Sequence, residues 1–501
     1  MKKIISTLLA VILIFQGYAS FAQLNNAGFE GGIHKNEMDY RDEKKYKEVI
    51  FLTGEPILLE GTVELKIRDE KLEYEYELSN KDETVTLERE VELERIIDDE
   101  SHETQISEVN NILDYDEEIV VNLGGQSNTY TLVDYQMHNS TIDDKQPVVT
   151  YYLGNWLGSK VYSINDNEGE VKVDISGNIY GYDHYWGATE TQKIHKDISY
   201  SQQIDDDSVI EWYGYADIDV SFNRTKRMEY FKNLPYQTSF AGGYTLTEQN
   251  ETIMKYKYNL PYVEDNEVKE GIYNIGEGTE RFETLPTQKK LYIPKLQDIK
   301  GHWAENDIER LAALQVVDGT NRYFGPDLYM KRVDFAKWIV HAMDLLEEDT
   351  HSRRSFIKDE VYPDIFSDVT KDNPNYQYIK AIKDNGIMNG VGDNKFLPEG
   401  NLTRAQAITI VIRALGLERL APNPSFDTRF KDDDRIPLWA KKAVYVADQV
   451  GIANGTPEGY IYPNEYMTKA EASAFINRFI TYLQRDMKED YREKIINFDV
   501  K

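Results

Sequence analysis

The sequence contains no cysteine. That removes disulfides, thiol nucleophiles and cysteine-held zinc from consideration. It also lacks a basic surplus, since 57 Lys and Arg face 88 Asp and Glu for a formal net charge of −31. So acidic a chain cannot neutralise the phosphates of a nucleic acid or adhere generally to an anionic membrane. Any anionic partner must be held by local geometry. Long apolar runs are missing too. The one candidate, Ile4 to Phe15, falls short of the roughly 20 residues that a spanning helix needs. With Lys2 and Lys3 before it and Ser20-Phe21-Ala22 after it, it reads as a signal peptide over 1–22 that is cut after Ala22. The expectation is a secreted protein with no membrane insertion after cleavage. A secreted chain of 501 residues without cysteine fits a bacterial surface better than a disulfide-rich ectodomain. Catalytic signatures are also absent: there is no His-Glu-x-x-His, no Gly-x-Ser-x-Gly and no phosphate-cradling glycine loop.

What is present is globular, with 41% hydrophobic and 12% aromatic residues, in a chain long enough for several domains. Residues 23 to about 46 form a polar leader. From Tyr46 to Tyr292 apolar residues alternate with charged ones: Val63, Leu65 and Ile67 with Glu64, Lys66 and Arg68, then Tyr74, Tyr76 and Leu78 with glutamates. This period of two describes antiparallel strands with one wet face. Turn residues separate them at Thr53-Gly54-Glu55-Pro56, Ser79-Asn80-Lys81-Asp82 and Gly124-Gly125. About a dozen strand candidates predict an all-β, sandwich-like extracellular region over 23–290. Within it, His184, Trp186 and His195 lie in the aromatic stretch Tyr180 to Tyr200, which either lines a sugar groove or fills a core. The acidic turns Asn165 to Glu170 and Asp205-Asp206-Asp207 are candidates for calcium. No other cofactor is expected. Carboxylates are too many to nominate a glycosidase pair.

Near Leu285-Pro286 and Ile293-Pro294 strand alternation gives way to helical periodicity, and three repeats follow over 291–350, 360–420 and 424–484, with a charged tail at 485–501. Each reads as helix, turn, extended segment and helix. Pro326, Pro398 and Pro463 stand six residues before Arg332, Arg404 and Lys469 in turn. Trp303 and Trp439 each stand sixteen residues before Gly319 and Gly455. Thr403 with Gln406 and Thr468 with Glu471 are capping boxes, so each cation becomes the first residue of a helix. Free N–H groups and the positive dipole end there favour an anion.

These residues closely resemble the S-layer homology (SLH) family. The likeness rests on Phe366-Ser367-Asp368, His302-Trp303-Ala304, Gly386-Ile387-Met388-Asn389-Gly390, Phe396-Leu397-Pro398 and Leu402-Thr403-Arg404-Ala405-Gln406, and it covers about 296 to 480. It implies an all-α, pseudo-threefold module with the three second helices at its centre. It further implies non-covalent attachment to an acidic, pyruvylated secondary cell-wall polysaccharide. The ligand residues so implied are Arg332, Arg404 and Lys469, Trp303 and Trp439, Asp298, Asp368 and Asp432, and Gly319, Gly390 and Gly455. No repeat has the full set. Lys331 stands where the capping Thr belongs, Pro374 replaces the second Trp, and Lys469 gives up the planar guanidinium fork. The expected protein is a non-enzymatic component of the cell wall surface, its β region structural or adhesive and self-associating in a surface layer. The alternative is an anchored polysaccharide hydrolase or carbohydrate-binding module.

Overall fold

A computed structural model describes residues 26–29, 42–68, 70–98, 104–123, 125–205, 208–231, 243–264, 267–346, 365–423 and 426–491. The expected signal peptide, most of the leader, the Asp206-Asp207 turn and the end of the tail lie outside them.

The first part of the chain is a single 14-stranded sheet. Its strands are β1 (Asn26–Phe29), β2 (Asp42–Ile50), β3 (Ile57–Arg68), β4 (Lys71–Ser79), β5 (Val85–Asp98), β6 (Gln105–Leu123) and β7 (Gln126–Gln146). They continue as β8 (Val149–Ile164), β9 (Gly169–His184), β10 (Gly187–Asp205), β11 (Ser208–Phe231), β12 (Gly243–Glu264), β13 (Glu267–Glu283) and β14 (Thr287–Leu291). From β2 to β13 each pairs antiparallel with the next, β1 joins β2 in parallel, and β14 lies on β12. The all-β expectation holds, but the sandwich does not: one sheet curls on itself as a half-barrel. Short hairpins keep sequential strands adjacent, and period-two alternation is the same in a sandwich as in a curled sheet, so the pattern alone could not separate them. The curl brings the two ends together. Lys47 on β2 lies 3.8 Å from Glu280 and over the Phe282 ring on β13, and Phe51 meets Tyr256 and Tyr258 of β12.

Inside the curl lies a buried charge network. Arg89 donates to Glu48 at 2.8 Å and to Glu117 at 2.9 Å, Lys160 reaches Glu117 at 2.5 Å, and Tyr162 donates to it at 2.9 Å. Burial by itself raises the Glu117 carboxyl, but Arg89 and Lys160 outweigh it and hold the group at about 2.

The second part is helical: α1 (Glu305–Ala313), α2 (Arg332–Met343), α3 (Tyr376–Asp384), α4 (Arg404–Ala414), α5 (Leu438–Gln449) and α6 (Lys469–Thr481). A π-helical turn, Tyr482–Asp486, and α7 (Met487–Asp490) end it. The helices opening each repeat, α1, α3 and α5, bury one face, through Ile308 and Leu311, Ile379 and Ile382, and Val444 and Ala447. The second helices, α2, α4 and α6, are buried on most of their surface, the mark of central helices. Gly386 and Gly451 follow α3 and α5 in the left-handed region, at φ 68° and 72°, as a turn there requires.

The two parts share a core. Val148, Val149, Tyr151, Tyr182 and Trp186 from the β7–β8 and β9–β10 ends pack with the helices. Trp186 donates its indole N–H to Ala342 O at 2.9 Å, and Tyr151 its hydroxyl to Leu415 O at 3.0 Å. Where it meets the helices the aromatic stretch is thus a docking surface, while its other end lies open: His195, 2.7 Å from Asp217, lines a groove of about 440 Å³ with Trp156. The tail takes part as well: Tyr491 stacks on Tyr151 and donates to Tyr152 O at 3.2 Å. Leu483, Met487 and Tyr491 recur every fourth residue and are buried, a periodicity that marks the tail as a packed helix. His184 lies against Tyr182, its Nδ1 accepting from the Trp186 N–H at 3.1 Å, and burial pushes its imidazole down to about 3.

These groups fix the response to acid. His184 has a folded pKa below its unfolded value of about 6.5, so its contribution is complete above that pH and falls away as pH drops. The loss reaches about 2 kcal/mol by pH 5. Glu117, also depressed, adds its own loss only below about pH 4.3. The thermal midpoint should therefore begin to fall between pH 6.5 and 5, and His184→Gln should flatten that part of the profile; an unchanged slope would remove His184 from the account. Separately, Arg89→Met leaves Glu48 buried without its guanidinium and Glu117 with Lys160 alone, and should cost about 3–5 kcal/mol in urea unfolding. A near-neutral result would show that water reaches the network.

Candidate functional site

The three second helices begin as the sequence predicts, at Arg332, Arg404 and Lys469. Thr403 Oγ1 accepts from Gln406 N at 3.3 Å while Gln406 Oε1 accepts from Thr403 N at 3.1 Å, and Thr468 and Glu471 repeat the exchange. Lys331 makes no side-chain cap.

The backbone donors of these helix starts are not free. Arg332 and Val333 donate to Gly400 O and Pro398 O, Arg404 and Ala405 to Glu465 O and Pro463 O, and Lys469 and Ala470 to Leu328 O and Pro326 O. Each acceptor belongs to the next repeat, the third returning to the first. A second ring closes inside the first: Met330 N donates to Met467 O, Met467 N to Leu402 O and Leu402 N to Met330 O, at 2.8–2.9 Å. This corrects the expectation that free N–H groups there invite an anion.

The cations follow the same cycle. Arg332 Nε donates to Phe396 O at 2.9 Å, Arg404 Nε to Ile461 O at 2.8 Å, and Lys469 Nζ to Phe324 O at 3.4 Å. The guanidinium of Arg332 is enclosed: a second nitrogen reaches Asn389 O at 3.2 Å, the group lies over the Phe396 ring and the residue is only 6% exposed. The early aspartates brace the acceptor segments. Asp298 accepts from Phe324 and Gly325 N–H, Asp368 from Phe396 and Leu397, and Asp432 from Ile461 and Tyr462, at 2.7–3.0 Å. For Asp298, burial opposes ionisation, but the N–H groups of Phe324 and Gly325 hold its carboxyl below the ordinary range. Gly390 and Gly455 allow close approach: a Cβ would meet Lys395 O at 2.6 Å and the Phe430 ring at 2.7 Å, and at Gly319 it would meet Pro294 at 2.3 Å.

The tryptophans belong to the surface, not to the core. Trp303 is 64% exposed and Trp439 49%. Trp303 lines a groove of about 410 Å³ together with Arg404 from the second repeat and Gly455 from the third. The structure therefore unites one predicted residue from each repeat. It adds Arg478, which the repeat signature does not contain. Arg478 donates through Nε to Ile452 O at 2.9 Å, and burial together with the nearby Arg404 works against its charge, offset in part by Asp307. Arg404 gives one terminal nitrogen to Glu471 at 3.1 Å. The groove's charged side chains are thus two guanidiniums and one carboxylate, a local positive excess in a chain of net charge −31. An aromatic face beside paired cations suits a sugar ring that carries an acid. Arg478 stands nine residues after Lys469, as Arg413 does after Arg404, a recurrence that the repeat signature leaves out.

The acidic turn at Asn165 is held by its own amides: Asn165 accepts from Thr129 N at 2.8 Å and donates to Glu168 at 2.7 Å. Among the described residues no group of three or more His, Cys, Asp or Glu is arranged to hold a metal.

Bracing and binding residues should separate in stability. Asp432→Ala orphans two N–H groups and should cost about 1–3 kcal/mol, whereas Trp303→Ala, being mostly exposed, should stay within about 0.5 kcal/mol. Urea unfolding of both variants decides; equal losses would contradict the division.

A family model described as the S-layer homology domain matches residues 296–336, 365–408 and 429–473. The chain is 32% identical over 187 residues to an amylopullulanase of Thermoanaerobacterium thermosulfurigenes, covering 37% of this chain and 9% of that protein. It is 33% identical over 181 residues to exoglucanase XynX of Acetivibrio thermocellus, 36% of this chain and 16% of that protein. With the S-layer protein EA1 of Bacillus anthracis it shares 28% over 177 residues, 35% of this chain and 19% of that protein. The chain thus spans less than a fifth of the length of each. Such matches fall on the repeat region and leave the chemistry of the β region open. On this evidence the chain carries three S-layer homology repeats and is a secreted, cell-surface protein anchored at the cell wall.

Proposed function

We propose that the repeats form a pseudo-threefold module and hold the protein non-covalently to an acidic, pyruvylated secondary cell-wall polysaccharide. The observation that carries this reading is the groove where Trp303, Arg404, Gly455 and Arg478 converge from three repeats. A pyruvate ketal presents a carboxylate beside a sugar ring. The guanidiniums would take the carboxylate as charge-assisted hydrogen bonds, and Trp303 would take the ring face. The cyclic hydrogen bonds support the threefold arrangement. The sites are unequal, since Arg332 is buried at 6% exposure and Lys469 offers a point charge in place of a fork.

The β region is then a structural or adhesive passenger, capable of self-association in a surface layer, and no cofactor enters this reading. The enzyme names among the relatives attach to proteins matched only through their repeats, so they support anchoring more than hydrolysis. Full-length protein should sediment with native cell walls and stay in solution with walls stripped of their polymer. Arg478→Ala and Trp303→Ala should each weaken wall binding about tenfold or more with helicity unchanged. Undiminished binding to stripped walls, or by both variants, would place the attachment elsewhere.

A further inference from the structure

We propose that the hollow inside the curled sheet is a binding site for a small uncharged amphiphile, with a hydroxylated head and a hydrocarbon body. The hollow measures about 330 Å³, within the range of small-molecule sites of about 300–1,000 Å³. Three amide oxygens on its wall, those of Asn110, Asn139 and Gln192, are buried with no donor from the described residues. Gln192 is 2% exposed and Asn110 6%. Their amide nitrogens are already engaged, Gln192 with Glu190 at 2.6 Å and Asn110 with Glu108 at 3.2 Å. That orients the oxygens as acceptors. Orphaned buried acceptors are costly, and three around one hollow call for hydroxyl donors.

The charges on the wall argue that the guest is neutral. Arg89 and Lys160 are neutralised by Glu48 and Glu117, Arg95 pairs with Glu108 at 3.0 Å, and Glu190 accepts from Tyr152 at 3.0 Å and from Gln192 at 2.6 Å. Lys196, also on the wall, is pushed by burial to about 7, so it carries little charge above that pH. An ionised guest would have to break a satisfied pair, which costs more than it returns. Part of the wall is hydrocarbon, the buried cluster of Leu65, Leu72, Val91 and Leu93. Beside the acceptors the strand pairing is interrupted. The β6–β7 ladder runs through Asn110 with Asn139, stops after Asn111 with His138, and resumes at Glu118 with Thr131. Along this seam Tyr115 reaches across to Val133 O at 3.0 Å. The site is independent of wall anchoring, and its test is as well.

Octyl glucoside below its micelle-forming concentration serves as the probe, titrated into the full-length protein by calorimetry. Saturable binding is expected, with glucose and octyl sulfate at least tenfold weaker. Gln192→Leu should weaken the probe tenfold or more with an unchanged circular dichroism spectrum. Leu93→Trp, which fills the hydrocarbon wall, should do the same and decides the matter should Gln192→Leu not fold. No saturable heat would mean that water alone meets the acceptors and would overturn the site. Probe binding undiminished in the folded variants would place it elsewhere. Equal binding of glucose would remove the hydrocarbon part of the proposal, and equal binding of octyl sulfate the neutral part.

Discussion

The helical half depends on a closed cycle of carbonyl acceptance. Helix starts leave backbone donors exposed, and here each repeat supplies the carbonyls that its neighbour's helix start needs. The signature cation adds a side-chain donor to the same acceptor segment, and an aspartate from that segment's own repeat braces it. A single repeat could not satisfy these groups alone, which is why the three act as one body. The cycle also bears on the proposed anion site. With the backbone donors consumed, what remains is guanidinium and aromatic surface in the clefts between repeats.

That body is not an independent appendage on a tether. Trp186, Tyr151 and Tyr491 bury aromatic surface against the helices, with hydroxyl and indole groups paired to carbonyls across the joint. Two kinds of satisfied polar group thus run through the molecule: backbone rings in the helical half and the Arg89–Glu117–Lys160 network in the sheet. The shared core joins the two halves.

Much of this was legible in the sequence, and what was hidden was non-local. The capping boxes at Thr403 and Thr468, the cation at the first helical position and the left-handed Gly386 and Gly451 are local chemistry, readable from a few neighbouring residues. The strands were readable for the same reason, since alternation is a local property. Their closure into one curled sheet was not, because the contact of Lys47 with Glu280 joins residues more than two hundred positions apart. The groove shows both sides of this limit. Trp303, Arg404 and Gly455 stand out by repeat position, and Arg478 recurs as Arg413 one repeat earlier, yet only packing brings Arg478 beside Arg404. The enclosed guanidinium of Arg332 likewise follows from Phe396 O and Asn389 O, two acceptors in another repeat.

The central claim is that the groove built from Trp303, Arg404 and Arg478 takes the acid of the wall polymer. A crystal structure of the full-length protein with a pyruvylated disaccharide fragment of that polymer tests it most directly. The account predicts the ketal carboxylate between Arg404 and Arg478, with a sugar face on Trp303, and an empty cleft at Arg332. The fragment seated at Arg332 or Lys469 with the Arg404 groove vacant would contradict it.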